Sequence, residues 1–381
     1  MNYLLERRAV LTRTLKTHGV DAFLVTTPVN VTYLTGFTGE DTFFTTVKNG
    51  LLISDSRFEE QIKDECGDLD AHIRPHNRTT LEATAEVLTK AGVKSVGVEG
   101  NRLTLGELEQ LKALAPKINF VPLSGVIEAQ RVIKDPSEVQ KIEDSVRVAE
   151  RAFRMFIATL READTEKDMV DALENYIRRA GARGSSFPPI VAVGERGALP
   201  HAPPTNRQLG EGSKILVDWG ADLLYKSDLT RTLRSPFGTA PSRRNKMERV
   251  GYDFEEIYQV VLNAQNAALA MIRPGVKAKD VDAAARKAIA TAKIHRAPEG
   301  NLADYFTHGL GHGIGLEVHE APKIRANSED VLESGMVITI EPAIYIPGWG
   351  GVRIEDDVLV THDGYRLLST LPREISTFSV V

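Results

Sequence analysis

Three carboxylates stand inside runs that are otherwise apolar: Asp218 in KILVDWG (214–220), Glu341 in MVITIEP (336–342) and Glu355 in VRIEDDVLV (352–360). A fourth, Asp228, follows the first in KSDLTRT (226–232). A folded chain holds such a set close together only if something positive neutralises it, and metal ions are the obvious counter-charge. Between the two pairs lie His308, His312 and His319, three imidazoles within twelve residues, interleaved with Gly309, Gly311, Gly313 and Gly315. Glycine lets a backbone approach an ion or substrate closely. Four carboxylates and one neutral imidazole carry a formal charge of -4, which two divalent cations cancel. The donor set is rich in oxygen, has one nitrogen and lacks sulfur, so Mn²⁺, Co²⁺, Fe²⁺ and Zn²⁺ are all chemically acceptable.

The spacing of these residues predicts the elements that carry them. Asp218 and Asp228 suit opposed positions of an antiparallel hairpin closed by a three-residue loop at Asp222 to Leu224, and opposed positions share a face. Glu341 and Glu355 flank the turn-forming run Pro347-Gly348-Trp349-Gly350-Gly351, which lets two strands return antiparallel with both acids on one side. Arg353, two residues before Glu355, points to that face and is placed to orient a carboxylate or a substrate. The strand-like runs PPIVAVG, KILVDWG, MVITIEP and VRIEDDVLVT are grouped with helices expected around 165–180, 249–273 and 278–293, which predicts an α+β layer of antiparallel sheet covered by helices.

Upstream, from Asp21, short strand-like runs (AFLVTT, TFFTTV, LLIS, VGVE) alternate with amphipathic stretches at 80–91 and 103–114, the rhythm of a small α/β domain. In Asp135-Pro136-Ser137-Glu138, Asp135 suits an N-cap, Pro136 the first helical position and Glu138 a capping-box partner. Behind it Val139, Ile142, Val146, Ala149, Phe153 and Phe156 recur at helical steps and mark one buried face. The domains are therefore expected at 1–128 and 129–381.

At 381 residues and 42% hydrophobic, the chain is long enough for two cores. The net charge of -5 is spread along it, which argues against a nucleic-acid or anionic-membrane partner. Its one basic cluster, Arg243, Arg244, Lys246 and Arg249, reads as a solvated loop and helix start. Charges interrupt the first twenty residues, so they lack the apolar core of a signal peptide, and no run approaches a membrane span. A single cysteine, Cys66, fits a reducing compartment, so the cytoplasm is the expected location.

These motifs resemble those of the pita-bread-fold metallopeptidases, the family of methionine aminopeptidase, aminopeptidase P and prolidase. The resemblance runs in order through ProHisAlaProProThrAsn at 200–206, ValAspTrpGly at 217–220, SerAspLeuThrArgThr at 227–232, the histidine and glycine run at 308–322, ThrIleGluPro at 339–342 and GlyValArgIleGluAspAsp at 351–357. It implies that Asp218, Asp228, His312, Glu341 and Glu355 bind two divalent metal ions, with manganese first among the candidates and Asp228 and Glu355 bridging. It further implies that His201, His308, His319 and Arg353 surround the substrate. TyrLeuThrGlyPheThrGly at 33–39 and AspSerArgPhe at 55–58 resemble the amino-terminal domain of aminopeptidase P and prolidase, which methionine aminopeptidases generally lack. The implied fold is a pita-bread domain preceded by a smaller creatinase-type α/β domain, and the implied assembly is a homodimer.

The expected reaction is hydrolysis of the bond between an N-terminal residue and a following proline by a water or hydroxide held between two metals, with Glu341 taking its proton. His319 or His201 would donate hydrogen bonds to the tetrahedral intermediate, and His308 would shape the pocket. Tyr345 or Trp349 could meet the proline ring, and Lys323 or Arg325 the terminal carboxylate of a dipeptide. The primary reading is an Xaa-Pro aminopeptidase. The alternatives are a prolidase restricted to dipeptides, a metal-free creatinase-like hydrolase and a non-catalytic peptide-binding module. Two departures from the family pattern bear on fine geometry: one residue fewer between the two aspartates, and Ala343 where relatives carry glycine.

Overall fold

The computed structural model describes residues 3–235, 237 and 252–375. The chain folds as two compact units, Met1–Arg131 and Val132–Val381. The first holds strands β1 (Ala22–Val25), β2 (Phe43–Thr45), β3 (Leu51–Asp55), β4 (Asp70–Arg74), β5 (Ser95–Glu99) and β6 (Asn119–Leu123). They form one mixed sheet in the order β4-β3-β2-β1-β5-β6. Its helices are α1 (Tyr3–His18), α2 (Pro28–Thr35), α3 (Glu59–Glu65), α4 (Thr80–Lys90), α5 (Leu105–Leu114) and α6 (Val126–Arg131). β1–β5, β5–β6 and β3–β4 run parallel, as the alternation of strand and helix requires.

The second unit opens with α7 (Pro136–Ile157), whose N-cap is Asp135 in a complete capping box with Glu138. Ile142, Val146, Ala149, Phe153 and Phe156 make its buried stripe. Next come α8 (Glu166–Arg179), β7 (Gly184–Ser185), β8 (Ile190–Val193), β9 (Lys214–Trp219), β10 (Ala221–Leu223), β11 (Tyr225–Lys226) and β12 (Leu229–Arg234). Phe153 stacks on Trp219 at 4.0 Å between ring centroids, and the indole N–H donates to Ala149 O at 3.0 Å. That contact pins the end of β9 to α7, one residue beyond Asp218. The helices α9 (Phe254–Leu269) and α10 (Ala278–Ala290) share an apolar core with the strands that follow. Of the helix expected at 249–273, residues 249–251 lie outside the described residues, as does the basic cluster Arg243, Arg244, Lys246 and Arg249.

Those strands are β13 (Gly311–Gly313), β14 (Glu320–Ile324), β15 (Val337–Ile340), β16 (Ala343–Ile346), β17 (Gly350–Arg353), β18 (Asp356–Val360) and β19 (Tyr365–Leu367). The sheets of this unit are small: β12-β9-β8, β11-β10-β7, β14-β13-β15-β18-β19 and the ribbon β16-β17. Every pairing in them is antiparallel.

One expected register is wrong. Asp218 lies opposite Thr230, not Asp228. The hairpin turns on Leu224 alone, at φ 84° between the paired Leu223 and Tyr225, so its centre falls one residue later than a loop spanning Asp222 to Leu224 would put it. Asp222 Oδ1 accepts from the Leu224 N–H at 2.8 Å and steadies the tip. The same register brings Asp228 alongside Gly220, where a Cβ would lie 1.8 Å from Ser227 O. Asp228 still precedes Thr230 by two residues, so it remains a diagonal neighbour of Asp218 on the same face. The short hairpin packs on α7, with the Tyr225 hydroxyl 3.0 Å from Glu138 and the Ser145 hydroxyl donating to Ala221 O at 2.6 Å.

Candidate metal centre

Each acid is held where one sheet gives way to the next. Asp218 is the penultimate residue of β9, and Asp228 immediately precedes β12. Glu341 lies between β15 and β16, and Glu355 between β17 and β18. The pairs Ile340 with Asp356 and Ala343 with Arg353 belong to one register, which sets Glu341 opposite Glu355. Thr230 joins the two halves: its carbonyl accepts from the Glu355 N–H at 3.1 Å, and its hydroxyl donates to Glu355 Oε2 at 2.7 Å. Behind Asp228, Asp357 Oδ2 accepts from the Asp228 N–H at 3.1 Å.

His312 is the only side chain larger than hydrogen on β13. A Cβ at Gly311 would lie 1.9 Å from Thr339 O, and one at Gly313 would lie 2.0 Å from Ala321 O. The glycines let β13 press between its neighbours and present this one imidazole. Its Nδ1 is 3.1 Å from Gly313 O, a carbonyl that only accepts, so Nδ1 carries the hydrogen. The bare Nε2 faces Asp228 Oδ2 at 3.7 Å and Glu341 Oε1 at 3.6 Å. One donor atom from each of Asp228, His312 and Glu355 falls within 4.8 Å of the others.

Around this cage runs a second set of bonds. Arg353 pairs through Nη2 with Asp218 Oδ2, donates from Nη1 to the Tyr345 hydroxyl at 2.6 Å and from Nε to Thr230 Oγ1 at 3.0 Å. The Tyr345 hydroxyl is 2.9 Å from His308 Nε2, and His308 Nδ1 donates to Gly309 O at 2.8 Å. The chain of donors thus runs from Arg353 through Tyr345 to His308, with both imidazole nitrogens engaged. His319 meets the His312 ring edge to face at 4.4 Å. His201 and His319 are exposed on the cleft.

All nine residues singled out above line one cleft of about 720 Å³: Asp218, Asp228, His312, Glu341 and Glu355 together with His201, His308, His319 and Arg353. Lys323 and Arg325 line it as well. Trp349 does not. It is buried against Tyr252, 6.2 Å between centroids, with Lys214 Nζ 3.8 Å over its ring. Tyr345 is likewise buried and spends its hydroxyl on Arg353 and His308. The apolar wall comes instead from Phe187, Pro188, Pro189, Ile190, Pro203 and Val318. Phe187 and Thr230 were missed by reading the sequence, although Thr230, two residues beyond Asp228, shares its face by strand periodicity.

The residues present fit a divalent metal. Burial drives up the carboxyl pKa of Asp228, Glu341 and Glu355, the last to about 8, and neighbouring carboxylates push in the same direction. Burial also raises Asp218, against the pull of Arg353. His312 is pushed down to about 3, chiefly by burial, and is therefore a neutral nitrogen donor. Among the described residues Asp218 Oδ1 is buried without a hydrogen-bond partner. Crowded carboxylates, a bare imidazole nitrogen and an unpartnered carboxylate oxygen are what a bound cation would satisfy.

Comparison with known proteins agrees with this chemistry. Residues 140–362 match the model of metallopeptidase family M24, and residues 7–133 that of the creatinase/prolidase N-terminal domain. The chain belongs to metallopeptidase family M24: it is a metallopeptidase whose pita-bread domain follows a creatinase-type amino-terminal domain in sequence. It is 36% identical over 359 residues to the peptidase YqhT of Bacillus subtilis, covering 94% of this chain and 96% of that one. Among solved structures it is similar to an Xaa-Pro dipeptidase from Bacillus anthracis, with TM-score 0.86, 32% identity and coverage of 98% and 99% of the two chains. It is also similar to an X-Pro aminopeptidase from Thermotoga maritima, with TM-score 0.83, 32% identity and coverage of 95% and 99%. Among the described residues no helix is long and apolar enough to cross a membrane.

Proposed function

We propose that this metallopeptidase hydrolyses the bond between an N-terminal residue and a following proline, acting as an Xaa-Pro aminopeptidase. The observation that carries the reading is the convergence of Asp218, Asp228, His312, Glu341 and Glu355 on one cleft, with His312 Nε2 turned toward the carboxylates. These five side chains would hold two divalent cations, manganese being the first choice for so oxygen-rich a set. When bound, such ions activate water for attack and polarise the scissile carbonyl.

The chain's own residues do the rest. Glu341 accepts the proton of the attacking water on a carboxylate oxygen. His201 and His319, both open to the cleft, donate hydrogen bonds to the carbonyl oxygen as charge develops on it. His308, with both nitrogens committed, holds the wall in shape, and Arg353 orients Asp218. An Xaa-Pro bond has a tertiary nitrogen with no N–H, so recognition relies on a compact apolar surface for the ring, and the wall from Phe187 to Ile190 with Pro203 and Val318 supplies one.

The cleft is open to solvent at His201 and His319, which suits a peptide that continues past the proline. The second reading, an Xaa-Pro dipeptidase, is favoured by Lys323 and Arg325, two cations on the cleft wall suited to a free proline carboxylate. The two names borne by similar structures, dipeptidase and aminopeptidase, support either. A cytoplasmic location is the reading supported by the single cysteine, Cys66, which suits a reducing compartment. Assembly as a homodimer is carried from the family resemblance, and sedimentation would test it.

The decisive experiment measures bound metal and turnover of Ala-Pro and Ala-Pro-Ala by the purified protein and by Asp228→Ala. The variant is expected to stay folded while losing metal and activity. Unchanged turnover in the variant refutes the assignment, and failure of the manganese-loaded wild type on both peptides refutes the substrate class.

A further inference from the structure

Between β8 and β9 the chain runs through residues 194–213 without a strand, and His201 lies within this stretch. Surface loops are more mobile than the elements they join, so a functional side chain on one depends on what holds the loop. Here it is tied down from behind by one buried carboxylate, Glu166, the first residue of α8, which is 0% exposed. Glu166 Oε1 accepts from Val193 N at 2.9 Å and from Arg196 Nε at 3.0 Å. Glu166 Oε2 accepts from Thr205 N at 2.9 Å, Thr205 Oγ1 at 2.6 Å and Arg196 Nε at 2.9 Å. One side chain therefore clasps the beginning of the loop, at Val193 and Arg196, to its return at Thr205.

The clasp reaches toward the imidazole from both sides. Arg196, held by Glu166, donates through Nη2 to Pro203 O, two residues after His201. Arg353 donates through Nη1 to Pro200 O at 3.3 Å, immediately before His201. Prolines at 200, 203 and 204 fix φ at three of the positions around it. The backbone adds Glu166 N to Arg207 O at 2.9 Å and Lys167 N to Thr205 O at 3.2 Å. Each oxygen of Glu166 meets at least two N–H groups, which only donate, so a carboxylate fits and an amide, which must turn an NH₂ toward one of these sets, does not.

We infer that Glu166 is a positioning residue for His201: it touches neither substrate nor metal, and it sets where the imidazole stands in the cleft. The kinetic part of this inference rests on the proposed Xaa-Pro hydrolysis, while the structural part does not. Misplacing a positioned group by about 1 Å costs up to roughly 10²-fold in rate, so Glu166→Gln should lower kcat/KM for Ala-Pro by tenfold or more at undiminished bound metal.

A double-mutant cycle with His201→Ala separates positioning from general stability. Expected is that Glu166→Gln causes little further loss once His201 is gone, and that Thr205→Val, which removes one of the five bonds, gives a smaller loss of the same kind. An equal loss in both backgrounds, or unchanged kcat/KM in the single variant, overturns the inference. A second readout is independent of turnover: the His201 ring resonances in the NMR spectrum should move in Thr205→Val and Glu166→Gln while those of His362 stay put. Unmoved His201 resonances in a folded variant overturn the inference even if the wild type cleaves Ala-Pro, whereas an inactive wild type with moving resonances sinks the substrate reading alone.

Discussion

Arg353 binds Asp218 through one carboxylate oxygen, Oδ2, and leaves the other, Oδ1, buried and without a hydrogen-bond partner among the described residues. The two residues belong to different sheets, β9 in one and the ribbon β16-β17 in the other, and Arg353 is 3% exposed. The protein thus pairs Asp218 at one oxygen, and a cation would meet the other.

Removing the guanidinium should therefore matter most when metal is absent. Breaking one side of a buried pair costs about 3–5 kcal/mol because the remaining charge is stranded. Arg353→Met is expected to lose that much in chelated protein and clearly less in metal-loaded protein, where cations still face Asp218. Urea titrations with and without chelator measure the difference, and equal losses in the two states would argue against metal beside Asp218.

The Thr230 hydroxyl links Glu355 to Arg353, donating to the first and accepting from the second. Partners of this kind behind metal ligands typically alter affinity by about 10–100-fold. Thr230→Val keeps shape and β-branching, so it should fold normally and weaken metal binding within that range, as read by competition with a chromophoric chelator. Unchanged affinity would remove Thr230 from the support of the site.

The pH dependence of stability follows from the same burial. Glu355, raised to about 8, and Asp228 and Glu341, raised well above the usual carboxylate range, bind more protons in the folded than in the unfolded chain. Stability from them is present at low pH and is lost as pH rises toward 8. His308 and His312, pushed down to about 4 and about 3, have the opposite sign and lose stability as pH falls below the ordinary imidazole value near 6.5. Above about 6.5 only the carboxylates still act. Chelated protein should melt at progressively lower temperature from pH 6.5 to 8, and metal should abolish that fall. A flat profile for chelated protein would contradict the crowding of charge in the cage.

Lys323 and Arg325 separate the two substrate readings. A charge-assisted bond to a proline carboxylate is worth about 1.5–3 kcal/mol, or roughly 10–100-fold in KM. If dipeptides are the substrate, Lys323→Ala should raise KM for Ala-Pro by such a factor and leave Ala-Pro amide unaffected. Equal behaviour of the two peptides would favour the aminopeptidase.

Much of this was legible in the order of residues. The N-cap run Asp135-Pro136-Ser137-Glu138 opens α7 as its local chemistry requires, because capping depends only on residues within one turn. Acids inside apolar strands, and glycines around His312, announced a charged centre for the same local reason. What lay beyond reach was whatever depended on distant partners. Asp218 faces Thr230 because a single residue, Leu224, turns the hairpin, and a turn length is settled by packing on α7 rather than by strand periodicity. Trp349 turned away from the cleft because Tyr252 and Lys214 offered it a better bed.

The sequence by itself determined the donor types, their faces and the helices that frame them, since these follow from side-chain chemistry and the periods of helix and strand. Only the tertiary structure decided which oxygen of Asp218 is spoken for, which nitrogen of His312 is bare, and how Glu166 holds the His201 loop. Each of those is a contact between segments far apart in the chain, fixed by the packing of whole sheets and not by any neighbourhood of residues.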